Sequence, residues 1–230
     1  MNIFAMDTST LTATVAVLSD EKLLGEFSVS NKLTHSVTIM PMTDSLLKSA
    51  SLALNDIDVF AVSVGPGSFT GLRIGMATVK TFAQALGKPI IGVSSLDAAA
   101  GNFALAKGLV CPMFDARRSE VYNAVYKDGS KICQDRAIHT DALFNELSGK
   151  EVVFAGDGAI IHSEKIKSSG ESGWSIAPQH LILPKASSVA YAALKRAQKG
   201  DFDDVYTLNP VYLRKSQAER EREERENKGE

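Results

Sequence analysis

The sequence predicts an α/β fold made of two related lobes. Three observations carry this reading. The order strand, strand, strand, helix, strand, helix runs once from Asn2 to about Ala106 and again after Gly108. Each run opens on a short apolar strand that ends in an aspartate, Asp7 in the first and Asp115 in the second. In each run the three leading strands are joined by short polar turns, as in an antiparallel meander. The two halves share little residue identity, so the repeat is one of pattern.

The elements follow in order. Asn2 to Met6 is a buried strand. Thr12 to Leu18 alternates polar and apolar residues, which predicts a half-exposed strand. Ser19 to Lys22 is a hairpin turn, and Leu23 to Val29 a third strand. From His35 to Leu54 the apolar residues recur at helical spacing. Ile57 to Val64 is a buried strand, and Gly65 to Thr70 a tight loop. A long helix follows to Leu86, stopped by Gly87 and Pro89. Pro89 to Val93 is a strand, and Ser94 opens a helix to about Ala106.

In the second run, Leu109 to Phe114, Glu120 to Tyr126 and Lys131 to Ile138 are strands, with Asp128-Gly129 as a hairpin turn. Thr140 to Leu147 is a helix, Val152 to Ala155 a strand, Ala159 to Lys167 a helix and Ser187 to Lys199 the last helix. The units are therefore 1–106, 107–213 and a charged tail, 214–230, with a return of the last helix to the first lobe as the alternative. The tail has six basic and six acidic residues and is expected to be a frayed helix without chemistry.

Composition narrows the function. Of 230 residues, 44% are hydrophobic and 23% charged, ordinary values for a globular chain. The net charge of −2 supplies no positive field for nucleic acid. Cys111 and Cys133 cannot form a CxxC pair, a disulfide framework or a zinc site by themselves. No run reaches the roughly 18 apolar residues of a membrane span. The N-terminus has Asp7 in its first apolar stretch and no basic leader, so no secretory signal is expected. A cytoplasmic protein is the expectation.

The densest motif is Gly-Pro-Gly-Ser-Phe-Thr-Gly-Leu-Arg-Ile-Gly, Gly65 to Gly75. A glycine-rich turn from strand into helix can bring backbone N–H groups to an anion. It matches neither the Walker A spacing nor GxGxxG, so a plain strand–helix turn remains open beside it. Gly71 and Gly75 share one helical face, which suits close helix docking at least as well as phosphate binding. Asp7-Thr8-Ser9-Thr10 could hold a magnesium–phosphate unit or simply cap a β-turn. His35, His139, His162 and His180 form no HxxxH pair, and HExxH and GxSxG are absent.

The segment from Val62 to Ala77 resembles that of the TsaB (YeaZ) family. So do Met6-Asp7-Thr8-Ser9, Asp115-Ala116-Arg117-Arg118-Ser119-Glu120-Val121-Tyr122 and Pro210-Val211-Tyr212-Leu213-Arg214. The resemblance implies an actin-like, sugar-kinase and Hsp70 fold with two RNase-H-like lobes. It implies a noncatalytic subunit of the machinery that makes threonylcarbamoyladenosine at adenosine 37 of tRNAs reading ANN codons. The implied partners are the catalytic paralogue TsaD, which carries the metal, and the ATPase TsaE. A homodimer is implied when the chain is alone, with tRNA engaged only through the complex.

TsaD has an HxxxH metal motif after its matching loop, helix and strand. The same alignment puts Ser95 and Ala99 at those positions here. Alanine cannot ligate a metal and serine does so poorly. No cofactor is expected to be required, though the resemblance leaves room for weak nucleotide binding in a cleft at Asp7, Thr8, Ser9, Asp115 and Arg117. The expected partner surface is a stripe of Ile39, Met42, Leu46 and Ala50 on one helix. Beside it Gly71 and Gly75 leave a backbone groove flanked by Ile74 and Thr78. A glycoprotease-like metallopeptidase and a small actin-like ATPase or kinase are the alternative functions.

Overall fold

The computed structural model describes residues 1–31 and 33–214. The charged stretch from Lys215 to Glu230, expected as a frayed helix, lies outside the described residues. The first run forms β1 (Asn2–Asp7), β2 (Thr12–Ser19), β3 (Lys22–Ser30), α1 (His35–Ser49), β4 (Val59–Gly65), α2 (Phe69–Leu86), β5 (Ile90–Ser94) and α3 (Ser95–Gly101). The second forms β6 (Leu109–Asp115), β7 (Glu120–Lys127), β8 (Ser130–His139), α4 (Thr140–Leu147), β9 (Val152–Ala155), α5 (Asp157–Ile161), α6 (Ser163–Ser168), β10 (Trp174–Ile176), α7 (Gln179–Ile182) and α8 (Ala186–Ala197).

The doubled pattern is a doubled topology. The first sheet is ordered β3-β2-β1-β4-β5, and the second β8-β7-β6-β9-β10. In each, the first strand pairs antiparallel with the second and parallel with the fourth. Asp7 and Asp115 thus end the central strand of their sheets. The two sheets have separate cores, and α3 touches both. Ala98 joins the first-lobe core, while Leu96, Ala99 and Ala100 join the second.

Side chains of the first sheet sort by the two-residue period of a strand. Phe4 and Met6 of β1 face α1 and α2, and Ile3 and Ala5 face α8. Phe4, Phe60 and Phe82 meet with ring centroids about 6 Å apart, 6.0 Å for the first two. On the other face the alanines of α8, Ala186, Ala190, Ala193 and Ala197, let that helix lie close to the strands.

This placement corrects two expectations. The helix from Ala186 takes the returning course, so the second unit does not run to residue 213. After α8 the chain stays on the first lobe: Asp203 bridges Ile90, and the Val211 N–H donates to the Val64 carbonyl at 2.7 Å. The strand from Thr12 is buried on both faces, Thr12 and Thr14 included. Its polar side is covered by α8, whose Ala186 N–H donates to Thr14 Oγ1 at 3.3 Å. Two helices end sooner than predicted. The one from His35 stops at Ser49, and the one from Ser95 at Gly101. The single helix expected from Ala159 to Lys167 is two, α5 and α6, meeting at His162.

Candidate functional site

The central loop of the first lobe is closed by its own chain. Asp7 ends β1 with no exposed surface. Its Oδ1 accepts from the Ser9 N–H and the Ser9 hydroxyl, each at 2.7 Å. Its Oδ2 accepts from Ser63 Oγ at 2.5 Å. Burial pushes the Asp7 carboxyl above the usual carboxylate range, and these three donors together with the nearby His35 oppose that only in part. Thr8 Oγ1 donates to the Gly71 carbonyl at 2.8 Å, and the Ser68 N–H donates to the Ser9 carbonyl at 2.7 Å.

The glycine spacing follows from this contact. A methyl group at Gly71 would collide with the carbonyl oxygen of Thr8, and one at Gly75 with Thr8 Oγ1. The two glycines therefore admit the Asp7-Thr8-Ser9 loop, and the groove expected there for a partner is filled. Of the residues expected at a nucleotide cleft, Asp7, Thr8 and Ser9 are all buried and bonded internally. Asp115 is half-buried and accepts from the Arg117 N–H at 2.8 Å. Arg117 is exposed, and Arg117, Arg118 and Ser119 are all left-handed, with φ of 63, 56 and 60°.

The stripe on α1 is likewise corrected. Ile39 and Leu46 are fully packed at 1% and 0% exposure, and Met42 is buried beside them in the first-lobe core. Ala50 is half-buried at the end of α1. Of the α2 residues, Ile74 and Thr78 remain half-buried. The apolar residues that α1 leaves outside are Val37 at 60% and Met40 at 48%. Val37 precedes the first core position of the helix, Ile39, and Met40 lies between Ile39 and Met42.

Ser95 and Ala99, which the resemblance aligns with the metal motif of TsaD, lie in the protein interior. Both are buried, and the Ser95 hydroxyl has no hydrogen-bond partner. Among the described residues no three His, Cys, Asp or Glu side chains gather as a metal site. None of the described helices is long and apolar enough to cross a membrane.

Other features were not assigned roles from sequence. The Tyr212 ring stacks on Phe69 at 4.5 Å, and its hydroxyl accepts from Arg73 Nε at 3.0 Å. The Arg73 guanidinium lies 4.0 Å over the Phe69 ring. Two residues on, Arg214 crosses to the second lobe. It pairs with Glu120 at 2.5 Å and donates to the Ala116 carbonyl at 2.7 Å. The Pro210-to-Arg214 string marked this segment, but no local pattern shows what it touches. Ser63 gave no signal either, since it reaches Asp7 only through the pairing of β1 with β4.

Comparison with known proteins adds the context. Residues 23–222 match the family model described as TsaD, tRNA N6-adenosine threonylcarbamoyltransferase. The chain is 36% identical over 227 residues to the tRNA threonylcarbamoyladenosine biosynthesis protein TsaB of Bacillus subtilis, covering 95% of this chain and 96% of that protein. It is 31% identical to the TsaB protein of Escherichia coli, again over 95% and 96% of the two chains. The structure of YeaZ from Pseudomonas aeruginosa superposes with a TM-score of 0.76 at 26% identity, over 92% of this chain and 99% of that one.

Proposed function

Since the chain belongs to the TsaB family, we propose that it acts as a noncatalytic subunit in tRNA threonylcarbamoyladenosine biosynthesis, binding the paralogue TsaD and enabling its transfer step. The near full-length identity to TsaB proteins carries this reading. Two features of the site support the noncatalytic part. The Asp7 loop spends its polar groups on its own chain. Ser95 and Ala99, which the resemblance aligns with the histidine pair of TsaD, are both buried. No cofactor of its own is required, and any nucleotide contact would be confined to the side of Asp115 and Arg117.

The docking surface we propose is the outer side of α1, centred on Val37 and Met40, continuing to Ile74 and Thr78 of α2. Apolar side chains exposed together on a helix are candidates for burial by a partner, and the thioether of Met40 adapts to more than one surface. The same surface would pair two copies of the chain when TsaD is absent. TsaE joins the assembled complex. The net charge of −2 fits a cytoplasmic subunit that meets tRNA only within that complex.

The deciding experiment is reconstitution. With TsaD, TsaE and the threonylcarbamoyl-adenylate donor, modified adenosine should form when the chain is added and be nearly absent without it. The chain alone should give no turnover. Full modification in its absence, or turnover by the isolated chain, overturns the reading.

A further inference from the structure

The two lobes have separate cores, and the chain passes between them after α3 and again just before α8. Both crossings border a cavity of ≈ 790 Å³. Asn102, Phe103 and Ala104 line it from the first and Lys185 from the second. The β7–β8 hairpin lines it as well, through Tyr126, Gly129 and Lys131. Side-chain ties between the lobes gather here. Lys131 pairs with Asp97 of α3 at 2.7 Å, and the Tyr126 hydroxyl donates to Asp97 at 2.6 Å. Ser94 Oγ donates to Asp135 at 2.8 Å. Hinges are built from a few loop or element-terminal residues, and the cavity leaves room beside these crossings for such residues to bend.

Glu120 stands at the opposite end of β7, six residues and about 20 Å from Tyr126. The tie there comes from the C-terminal strap, the segment from Asp203 to Arg214. Three contacts fix the strap to the first lobe. The Val211 N–H donates to the Val64 carbonyl at 2.7 Å, the Tyr212 ring stacks on Phe69 at 4.5 Å, and Arg73 donates to the Tyr212 hydroxyl at 3.0 Å. Two residues past this anchor, Arg214 grips the second lobe twice, on Glu120 at 2.5 Å and on the Ala116 carbonyl at 2.7 Å. Ala116 and Glu120 are the two ends of one loop, closed by the Ala116 N–H on the Glu120 carbonyl at 3.0 Å. The Arg214 side chain is 17% exposed, so solvent and salt screen its pairing less than that of a surface ion pair.

We propose that Arg214 is a clasp that sets the angle between the lobes, acting across a hinge beside the cavity. The clasp lies far from the hinge, so a small rotation there becomes a large displacement at Glu120. The ties around Asp97 lie close to it and resist opening with little leverage. With the clasp shut, the loop that carries Arg117 stands at a fixed place beside the first turn of α2. This inference concerns the chain by itself and does not rest on the TsaD reading.

The test measures a distance between the lobes by double electron–electron resonance on the full chain. Spin labels go on Gln84→Cys and Ala142→Cys, exposed on α2 and α4, in a Cys133→Ser background that leaves the buried Cys111 in place. Labelled chain is diluted with unlabelled chain, so that pairing of copies adds no distance. The parent should give one narrow distribution. Arg214→Ala should shift or widen it by on the order of 4 Å, the travel of a 20 Å arm turning through about 10–15°. Glu120→Ala should act in the same direction and add nothing further in the Arg214→Ala background. Lys131→Ala, which breaks a tie beside the hinge, should produce less than half of the Arg214→Ala change. A parent-like distribution in Arg214→Ala, additive changes in the double variant, or an equal change in Lys131→Ala overturns the proposal. Glu120, Lys131 and Arg214 are all partly exposed, and circular dichroism confirms that each variant is folded before measurement.

Discussion

The main-chain carbonyl of Thr8 occupies the space that a side chain at Gly71 would need. One turn along α2, the Thr8 hydroxyl does the same to Gly75 while donating to the Gly71 carbonyl. The two obstructions differ in kind, since one is backbone and the other a removable side-chain atom. Gly71→Ala should therefore cost about 2–3 kcal/mol, an overpacking that the backbone cannot relieve. Gly75→Ala should cost less when Thr8→Ala is also present than it does alone. A double-mutant cycle by urea unfolding checks both. A cost for Gly71→Ala that disappears in the Thr8→Ala background would show that the hydroxyl, not the carbonyl, is the obstacle there.

Asp7 should impose a pH dependence on stability. Its folded carboxyl lies above its unfolded value of about 3.9. The folded state then holds the proton more tightly, and the stability this provides is present at acid pH. It is lost as pH rises through the folded value. Asp7→Asn keeps the shape, and its amide can donate to Ser63. Relative to the parent, this variant should gain in midpoint temperature as pH is raised from about 4 to 7. A difference that stays flat across that range would refute the upward shift.

Ser95 carries a buried hydroxyl without a partner. Burying an unbonded hydroxyl costs on the order of 1–3 kcal/mol. Ser95→Ala should therefore be neutral or stabilising by about 1 kcal/mol in chemical denaturation. Clear destabilisation would show that the hydroxyl does find a partner.

Val37→Asp and Met40→Asp test the proposed docking face. Both positions are exposed, so the isolated chain should keep its stability within about 0.5 kcal/mol. TsaD binding and self-association should weaken together by about tenfold or more, as for central contacts of an interface. A parent-like affinity in both variants would place the interface elsewhere.

The fold was legible because strand and helix periods, turns and the two terminal aspartates are local properties. The errors came from distant packing. Thr12 and Thr14 alternate with apolar residues as solvent-facing threonines do, yet α8 arrives from the far end of the chain to cover them. The helical stripe of Ile39, Met42 and Leu46 was real, but period alone does not say whether a stripe faces its own sheet or a partner. Here it faces the sheet, while Val37, just before it, and Met40, between its members, face out. The glycine pair was found for the right physical reason, close backbone approach. What approaches is a loop some sixty residues earlier in the chain, a distance that spacing on one helix cannot report.

The return of α8 makes the second lobe an interruption within the first, and this bears on the order of events during synthesis. Residues 109–182 supply all five strands of their sheet in one continuous stretch, so that lobe can close as soon as it leaves the ribosome. The first lobe cannot. Ile3 and Ala5 pack against Val189 and Ala190, so one face of the earliest strand stays uncovered until nearly the whole chain has emerged. A chain truncated after residue 185 should show amide protection in β6, β7 and β9 while β1 is not fully protected. The waiting surface of Ile3, Ala5, Ala16 and Leu18 is where a chaperone would be expected to hold the unfinished protein.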